Sequence, residues 1–405
     1  MKMLRVIDLF AGCGGLAEGF LSDRFEMVAH VEWDRNASHV LKHRLEQVNP
    51  NYCKDSVMRF DIQRTKEVIS GFKEDEDFLS HPGLDYLVNS QPIDIVIGGP
   101  PCQAYSIAGR IRDENGMKDD YRNYLFESFM KIVRHYSPDF FVFENVKGML
   151  SSMPDGTPIV DLIRKEFDDA GYSTIDDYSN AVFDMSKYGV PQQRERVIIL
   201  GVRTDAFKDA SKILTDFYST DPKKWLIPQQ KGITAKDAIG DLPSFLPLKR
   251  QRRKRSHKPI KSKVSSHFPR YHNKRDIQTF RMLTEDLRDD TGLYSTTEDI
   301  KKLYTERTGK TSSVHKYSVI RPDEPSKTIV AHLKKDGLRH IHWDPEQART
   351  ITIREAADLQ GFPRDFEFPV NMGAAYEMIG NAVPPPFARL LADAILSLVK
   401  KYKRV

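Results

Sequence analysis

The sequence predicts an α/β protein with a doubly wound, mostly parallel sheet, and three observations carry that prediction. Short apolar runs alternate with amphipathic stretches as far as about residue 205, which is the pattern of strands joined by crossover helices. Two of these runs lead directly into glycine-rich loops, and such sheets bind ligands where loops leave the carboxyl ends of strands. At 405 residues the chain is also long enough for a second domain.

Five apolar runs are the candidate strands of this sheet. They cover residues 6–10, 27–31, 93–97, 140–143 and 197–202. Helix candidates have apolar residues at helical spacing, and the clearest cover residues 124–133, 353–359 and 386–399. Strands separated by helices in this way favour parallel neighbours in the sheet.

The stretch from about residue 206 to 345 departs from this pattern. It is richer in Pro, Lys, Arg and Ser and has only short apolar clusters, which predicts a second, smaller and irregular domain. Within it, residues 249–263 contain nine Lys or Arg and no acid. Such a run is either a solvated loop or a surface that contacts a polyanion, and the sequence leaves both interpretations open.

Composition limits the other possibilities. With 40% hydrophobic and 29% charged residues, the chain resembles a soluble globular protein, and no apolar run approaches the roughly 20 residues of a membrane span. The first candidate strand begins too close to Met1 for a signal peptide. Cys13, Cys53 and Cys102 are too few for a disulfide framework, and no Cys/His spacing indicates zinc. We therefore expect a cytoplasmic protein without a metal site.

The first glycine-rich loop, residues 8–15, joins the first strand to the first helix. Gly12 and Gly14 permit positive φ and a close approach of the backbone to a ligand. Glu32 and Trp33 follow the second candidate strand, where a carboxylate can accept from ribose hydroxyls and an indole can face an adenine ring. The alternative is a tight turn with Trp33 in the core. This segment alone does not separate a nicotinamide cofactor from S-adenosylmethionine.

The second loop, residues 98–106, reads Gly-Gly-Pro-Pro-Cys-Gln-Ala-Tyr-Ser and directly follows a candidate strand. Its two prolines stiffen the approach to Cys102 and fix the direction of the thiol. Inert structural cysteines tend to lie inside apolar runs, whereas Cys102 stands among glycines, prolines and polar residues. We therefore interpret Cys102 as a nucleophile rather than as a buried structural cysteine.

Charged side chains end or precede two further candidate strands. Glu144 follows the apolar run Phe-Phe-Val-Phe, where desolvation should raise its pKa and allow it to donate to a ring nitrogen. A strand-end glutamate in solvent is the simpler alternative.

Arg194 and Arg196 alternate in an extended segment and so point to one side, which suits a phosphate or a base carbonyl. The alternative for them is an edge-strand ion pair with Glu195.

Together these motifs resemble the DNA (cytosine-5-)-methyltransferase family of bacterial restriction–modification systems. The matching segments occur in the family's order over nearly the whole chain, at residues 8–15, 32–34, 60–62, 98–106, 144–146, 192–196, 354–363 and 380–384. Each segment is weak alone. Pro-Cys-Gln after a strand, Glu-Asn-Val and Gln-x-Arg-x-Arg in this order are very specific.

The resemblance implies transfer of a methyl group from S-adenosylmethionine to carbon 5 of a flipped-out cytosine in DNA. Cys102 would form a covalent adduct at C6, and Glu144 would contact N3. Arg196 would contact the base, with Arg194 near a phosphate or the catalytic loop. The residues implied in DNA contact are Gln103, Ser106, Arg110 and Thr328. The residues implied in cofactor binding are Phe10, Gly12, Gly14, Glu32, Trp33, Asp61, Ile62, Pro101, Leu125, Asn381 and Val383.

Members of this family complete the catalytic domain with the last helix. The resemblance therefore implies an S-adenosylmethionine-dependent, Rossmann-like catalytic domain of residues 1–205 plus 372–405. Residues 206–371 would form the target-recognition domain. Double-stranded DNA is the implied partner, bound by a monomer without a membrane or a metal. Whether a cognate restriction or defence protein is a further partner stays open.

The chain departs from the family pattern at two positions and has three rival functions. Tyr105 stands where Phe is frequent and Asp358 where a basic residue is common, and the match of Asp61 competes with nearby Asp55. The first rival, a tRNA cytosine-5 methyltransferase, would typically carry a Cys-Phe-Thr tripeptide, but no Cys follows residue 102. A nicotinamide-dependent oxidoreductase would leave the cysteine, glutamate and arginine motifs unexplained. A catalytically dead DNA-binding protein would not need both a nucleophile and an acid.

Overall fold

An eight-stranded sheet organises the first part of the chain in the computed structural model, which describes residues 2–101, 125–153, 156–219, 232–252, 254–258 and 263–402. The strands of the described residues are β1 (Leu4–Leu9), β2 (Phe25–Glu32), β3 (Val57–Arg59), β4 (Ile95–Gly98), β5 (Phe140–Val146), β6 (Tyr172–Ser173), β7 (Val182–Asp184), β8 (Gln192–Gln193), β9 (Glu195–Arg203), β10 (Pro247–Arg252), β11 (Arg255–His257) and β12 (Ser326–Lys327).

The order of the strands in this sheet is β3-β2-β1-β4-β5-β9-β6, and β7 also pairs with β9. Strands β1 to β5 are parallel to one another, whereas β9 is antiparallel to β5, β6 and β7. The chain therefore builds the sheet outwards in both directions from β1, as in doubly wound folds. The prediction of an α/β fold with a mostly parallel sheet is confirmed. The strands of this sheet that sequence patterning missed are only two or three residues long.

Helices connect these strands and continue to the end of the described chain. Those longer than one turn are Arg35–Val48, Thr65–Ser70, Leu84–Val88, Leu125–Tyr136, Ile159–Asp169, Ala210–Phe217, Ala235–Ile239, Lys274–Asp289, Thr297–Thr308, Ile353–Gln360, Met372–Asn381 and Pro385–Lys401. The three helices expected from sequence periodicity are present, each with bounds a few residues from those expected.

Strand β5 lies at the centre of the core. Its residues 140–143 are fully buried, and the helix Leu125–Tyr136 places Phe129 edge-on against Phe141 and Phe143, with ring centroids 5.9 and 5.5 Å apart. Burying a side chain of this size stabilises the fold by about 1.5–3 kcal/mol. Because Glu144 continues the same strand, its carboxyl group is held by one of the most tightly packed elements of the protein.

The chain divides into two compact units. The first comprises Met1–Tyr188, Arg194–Gln230 and Val383–Val405, and the second comprises Gly189–Gln193 and Lys231–Ala382. The C-terminal helix belongs to the first unit. There, a Cβ placed at Gly19 would lie 2.2 Å from the backbone of Ala388, so only glycine permits this contact. The end of the chain therefore packs on the unit that contains the sheet.

The helix Met372–Asn381 belongs to the second unit, whereas the prediction grouped it with the C-terminal helix. Within the second unit, a Cβ at Gly380 would lie 2.3 Å from the backbone nitrogen of Ala331, which fixes this helix against the turn at residues 331–334. The assignment of catalytic and target-recognition roles to the predicted domains stays a prediction.

The second unit contains more regular structure than the sequence suggested. The helices Lys274–Asp289 and Thr297–Thr308 occupy part of the region predicted to be irregular, and each begins with a capping side chain, Asn273 or Thr296. The buried residues of the first helix stand among many charged ones. That high charge conceals the apolar stripe in the sequence.

The described part of the basic run forms a hairpin of β10 and β11. Its exposed cationic residues are Lys249, Arg250, Lys254, Arg255 and Lys258, and Lys263 is also exposed. The described charges of the run therefore face solvent, as both interpretations of the sequence require.

Among the described residues, one stretch, Met372–Lys401, is long and apolar enough to cross a membrane. Most of it is buried inside the protein, and residues 382–384 divide it into two helices. Core helices have the same properties, so the stretch is weak evidence of a membrane span.

Candidate active site

The carboxyl ends of parallel strands meet at one edge of the sheet. Leu9 of β1 pairs with Val31 of β2 and with Gly98 of β4, and Gly98 pairs with Phe143 of β5. The glycine-rich loop, the Glu32 segment and the start of the cysteine loop therefore leave the sheet side by side. This is the edge at which open α/β sheets bind their ligands.

The first loop has an unusual backbone. Phe10 has a φ of +57°, a left-handed conformation that is rare for an aromatic residue and costs on the order of 1–3 kcal/mol. Gly12 and Gly14 follow with φ of +56° and +94°. A Cβ at Gly14 would lie 2.8 Å from Leu41, whereas a Cβ at Gly12 would have no atom within 4 Å. Packing therefore requires Gly14, while Gly12 borders open space into which a ligand can fit.

The carboxylate of Glu32 holds this loop in place. Its two oxygens accept from the backbone N–H groups of Gly12 and Asp34, both at 2.7 Å. Burial raises the pKa of Glu32 to about 7, although the two N–H groups act in the opposite direction. Because each carboxylate oxygen can accept a second hydrogen bond, Glu32 can still accept from hydroxyl groups of a ligand.

Trp33 and Asp61 follow neighbouring strands. Trp33 is 51% exposed, so the alternative that places its ring in the core is wrong. Asp61 comes after the carboxyl end of β3, and the preceding N–H, that of Phe60, donates to the Glu32 carbonyl at 3.1 Å. The competing residue, Asp55, lies before β3 in the turn Lys54–Ser56. Of these two aspartates, Asp61 is therefore the one at the carboxyl edge of the sheet, where Trp33 also lies.

The other predicted cofactor residues have mixed surroundings. Ile62 and Leu125 are both 6% exposed and belong to the core of the first unit, where Val383 is 7% exposed. Pro101 is exposed. Asn381 is exposed as well and belongs to the second unit.

Glu144 is buried and paired. Its Oε1 lies 3.0 Å from Nε of Arg196, because β5 and β9 are antiparallel neighbours. A Cβ at Gly99 would lie 2.5 Å from Glu144 Oε2, so a larger residue where the cysteine loop leaves β4 would displace this carboxyl group. Burial raises the pKa of Glu144, and the charges of Arg196 and Arg194 act against this rise. The alternative of a solvated strand-end glutamate is wrong.

The two arginines differ in exposure and in partners. Arg194 is fully buried. Burial and the charge of Arg196 lower the pKa of Arg194 well below its usual value, while Glu144 acts to raise it. Glu195 is bound by Lys147, with Nζ–O distances of 2.9 and 3.0 Å, so the proposed edge-strand pair of Arg194 or Arg196 with its carboxylate is not what forms. Buried Arg194 and half-buried Arg196 beside one carboxylate favour an anionic or electron-rich ligand.

Several predicted residues lie elsewhere. Cys102, Gln103, Ser106 and Arg110 lie outside the described residues. Thr328 is in the second unit, where its hydroxyl donates to the carbonyl oxygen of Gln193. Of the other two cysteines, Cys53 is exposed and Cys13 is buried, and burial raises the pKa of Cys13 to about 12. A thiol with that pKa is not a nucleophile near neutral pH.

Two buried polar pairs beneath the first loop were not expected from the sequence. Asp8 of β1 lies 3.2 Å from Nδ1 of His30 on β2, and both side chains are buried. Arg44 donates to Glu18 at 2.6 and 3.0 Å, which ties the residues after the loop to the first helix. The sequence did contain a signal for the first pair, since Asp8 and His30 are polar residues within apolar runs. Only the pairing of β1 with β2 brings them together.

Within the ranges that the structure describes, no group of three or more His, Cys, Asp or Glu side chains could hold a metal ion.

Comparison with known proteins agrees with the chemistry of these residues. The chain matches the family model for C-5 cytosine-specific DNA methylases over residues 4–397. The type II methyltransferase M.Bpa9945I of Bacillus paralicheniformis is 31% identical, and the match covers 97% of this chain and 99% of that protein. The type II methyltransferase M.NgoPII of Neisseria gonorrhoeae is 30% identical, with 98% of this chain and 97% of that protein covered.

Solved structures show the same fold. One is described as a DNA modification methyltransferase encoded within a prophage (E. coli). It has a TM-score of 0.60 at 23% identity and covers 98% of this chain and 99% of its own. The Dnmt2 methyltransferase of S. pombe has a TM-score of 0.53 at 16% identity and covers 99% of both chains. At these identities the likeness concerns the fold alone.

The chain belongs to the C-5 cytosine-specific DNA methylase family. Its enzyme class is DNA (cytosine-5-)-methyltransferase, as in its type II restriction–modification relatives. The resemblance read from the motifs is therefore confirmed. Membership of this family also decides against the nicotinamide-dependent oxidoreductase that the glycine-rich loop alone could not exclude.

Proposed function

We propose that this enzyme moves the methyl group of S-adenosylmethionine to carbon 5 of a flipped-out cytosine in double-stranded DNA, through a covalent bond between Cys102 and C6. The observation that carries the proposal is the buried carboxyl of Glu144, which is paired with Arg196 and lies against Gly99. Gly99 is three residues before Cys102 in the sequence. An acid and the expected nucleophile are thus supported by the neighbouring strands β5 and β4.

Cys102 would act by nucleophilic catalysis. Its thiolate adds to C6, which breaks the aromatic character of the ring and makes C5 enamine-like and nucleophilic. S-adenosylmethionine supplies the electrophilic methyl group. After C5 has been methylated, a water molecule would accept the C5 proton, and the electron pair of that C–H bond expels Cys102 as a thiolate. One difficult step is thereby divided into easier ones.

Glu144 would hold the proton at cytosine N3. Its raised pKa makes the carboxyl easier to protonate than an exposed glutamate, while Arg196 and Arg194 keep an ionised form accessible. As Cys102 adds to C6, negative charge develops toward N3, and a proton from Glu144 stabilises it. Arg196 would contact the base, and Arg194 would act on a nearby phosphate or on the catalytic loop.

The residues at the sheet edge fit S-adenosylmethionine. Gly12 borders open space, Glu32 has acceptor capacity left for ribose hydroxyls, and the exposed Trp33 can face the adenine ring. Asp61 would accept from the adenine amino group. The remaining positions of the site would be Phe10, Gly14, Ile62, Pro101, Leu125, Asn381 and Val383.

The target cytosine must be flipped out of the DNA duplex before Cys102 can reach it. Unstacking and unpairing a cytosine costs a few kcal/mol, which contacts to the flanking DNA would offset. The residues proposed for these contacts are Gln103, Ser106, Arg110 and Thr328. We propose that the second unit recognises the target sequence and that the enzyme works on DNA in the cytoplasm.

Trapping on DNA that contains 5-fluorocytosine tests this mechanism. Fluorine cannot leave as a cation, so the methylated adduct cannot eliminate and Cys102 should remain attached to C6. We expect a protein–DNA complex that survives denaturation and whose formation requires S-adenosylmethionine. Cys102→Ser should abolish it, because a serine hydroxyl has no accessible anion near neutral pH.

The other two cysteines provide matched controls. Cys13→Ser and Cys53→Ser should both still form the trapped complex, since the first thiol is buried with a pKa of about 12 and the second lies outside the Pro-Cys-Gln loop. Methylation of DNA at the wild-type rate by a Cys102→Ser enzyme would overturn the covalent mechanism.

A further inference from the structure

The second unit contains a cavity of about 330 Å³ that the mechanism above does not use. A volume of this size is typical of sites for small ligands. The cationic residues of its lining are Arg270, Arg275, Lys310 and Lys335. Its acidic residues, Asp276 and Asp336, are fewer. The lining therefore has a net positive charge and favours an anion.

The two acids already have partners in the protein. Asp276 accepts from Arg275 at 2.8 Å, and Asp336 accepts from the backbone N–H of Leu338 at 3.1 Å. Within the described residues, the ammonium groups of Lys310 and Lys335 have neither a hydrogen bond nor an ion pair. These two charges are therefore available to a ligand.

Tyr317 adds a hydrogen-bond donor to the lining. It is 1% exposed and lines the cavity, and its ring is fixed by the rings of Phe280 and Tyr304, with centroids 6.4 and 5.7 Å away. Among the residues that the structure describes, none forms a hydrogen bond with its hydroxyl. The hydroxyl itself reaches solvent in the cavity, so it can donate to an acceptor of a bound ligand.

The lining of the cavity also contains aromatic rings. Tyr271 and Tyr304 line the same cavity, and Tyr271 is 50% exposed. Bases stack on such rings with about 1–3 kcal/mol each. A phosphate with an attached nucleoside combines the anion and the flat ring that this lining accommodates.

We propose that this cavity of the second unit binds a phosphate group together with its nucleoside, as a nucleic-acid subsite distinct from the residues of the methyl-transfer site. The inference rests on the proposed function in that DNA is the substrate. The phosphate would be held by Lys310, Lys335 and the Tyr317 hydroxyl. Its source is either a phosphodiester of bound DNA or a free nucleotide, and the test below separates the two.

Tyr317→Phe is the sharpest variant, because it removes only the hydroxyl and breaks no hydrogen bond of the described structure. The affinity for a mixed-sequence DNA duplex should fall about tenfold, the value of one hydrogen bond to a charged group. The stability of the protein should stay at the wild-type level, as thermal denaturation would show.

Removal of the two lysine charges gives an independent measurement. In the double variant Lys310→Gln/Lys335→Gln, the slope of log affinity against log salt should decrease by about one to two units. Lys274→Gln/Lys302→Gln is the matched control, because it removes two exposed charges from helices of the same unit outside the cavity lining. The cavity pair should change the slope more than the control pair.

Thymidine 5′-monophosphate and inorganic phosphate distinguish the sources by calorimetric titration. Loss of DNA affinity in Tyr317→Phe identifies the DNA backbone as the source. Binding of thymidine monophosphate that Tyr317→Phe abolishes, with DNA affinity unchanged, identifies a free nucleotide. The proposal is overturned if wild type and variants match in DNA affinity, salt slope and nucleotide binding. Because none of these readouts needs catalysis, failure of 5-fluorocytosine trapping would refute the mechanism without deciding this proposal.

Discussion

Each of the two units buries a glutamate beside an arginine, but the two carboxyl groups are held differently. In the second unit, Glu355 accepts from both terminal nitrogens of Arg349 at 2.6 Å and from the backbone N–H of Thr352 at 2.7 Å. In the first unit, Glu144 is paired with Nε of Arg196 at 3.0 Å. Burial acts on both groups, yet their pKa values shift in opposite directions.

The number of donors explains the difference. Burial raises the pKa of Glu355 by itself, but the charge and hydrogen bonds of Arg349 outweigh it and bring the pKa to about 2. For Glu144, burial outweighs Arg196 and Arg194, and the pKa is raised. A carboxylate whose oxygens accept from several donors stays ionised and serves the structure. A carboxyl that is buried with fewer donors can exchange a proton, which suits an acid in catalysis.

The largest effect should come from Glu144→Gln. Loss of the proton donor at N3 should reduce the rate of methyl transfer by about 10²- to 10⁴-fold in single-turnover measurements. Glu195→Gln is the matched control, because that glutamate forms an exposed ion pair with Lys147 worth about 0–1 kcal/mol. Its rate should remain near that of the wild type. Equal rates in the two variants would remove Glu144 from the chemistry.

Arg349→Met should act on stability instead. It leaves Glu355 buried without its cation, which should lower the free energy of unfolding by about 3–5 kcal/mol in urea denaturation. The double variant Arg349→Met/Glu355→Leu removes both charges and should recover much of that loss. A double variant less stable than the single one would mean that the pair stabilises by attraction and not merely by mutual neutralisation.

Glu32 extends the comparison to a carboxyl with a pKa of about 7. Hydrogen bonds from ribose hydroxyls favour its ionised form, so protonation should oppose cofactor binding. The affinity for S-adenosylmethionine should be constant above pH 7 and fall by up to about tenfold per pH unit below it. Glu32→Gln should bind more weakly and show no such dependence. A pH-independent affinity in the wild type would mean that Glu32 only shapes the loop.

The smallest effect is expected from the exposed charges of residues 249–263. Replacing their Lys and Arg residues with Gln should flatten the salt dependence of DNA binding by about 0.9 for each phosphate that the run neutralises. The methylated sequence should not change, because binding to phosphates carries no sequence information. A salt slope equal to that of the wild type would make the run a solvated loop.

Local sequence was sufficient to predict a feature where the signal for it lies within one strand or helix. The apolar run before Glu144 predicted a buried strand and a raised pKa, and both are present. The helix Lys274–Asp289 was missed, because its apolar stripe is hidden among charged residues and is stabilised by packing within the second unit rather than by its pattern. The structure was also needed to show that Asp61 adjoins the carboxyl end of β3 and that Asp55 precedes this strand.

The sequence by itself determined the alternation of strands and helices and the positions of the glycine-rich loops at strand ends, and it predicted Cys102 and Glu144 as the reacting groups. Tertiary structure decided which partner each charge has. Arg196 pairs with Glu144 rather than with the adjacent Glu195 because β5 and β9 are antiparallel neighbours. Glu144 and Glu355 are the same residue type, and their opposite pKa shifts arise from the donors and the desolvation that folding places around them. Electrostatic interactions depend on distance and burial, which a linear sequence does not contain.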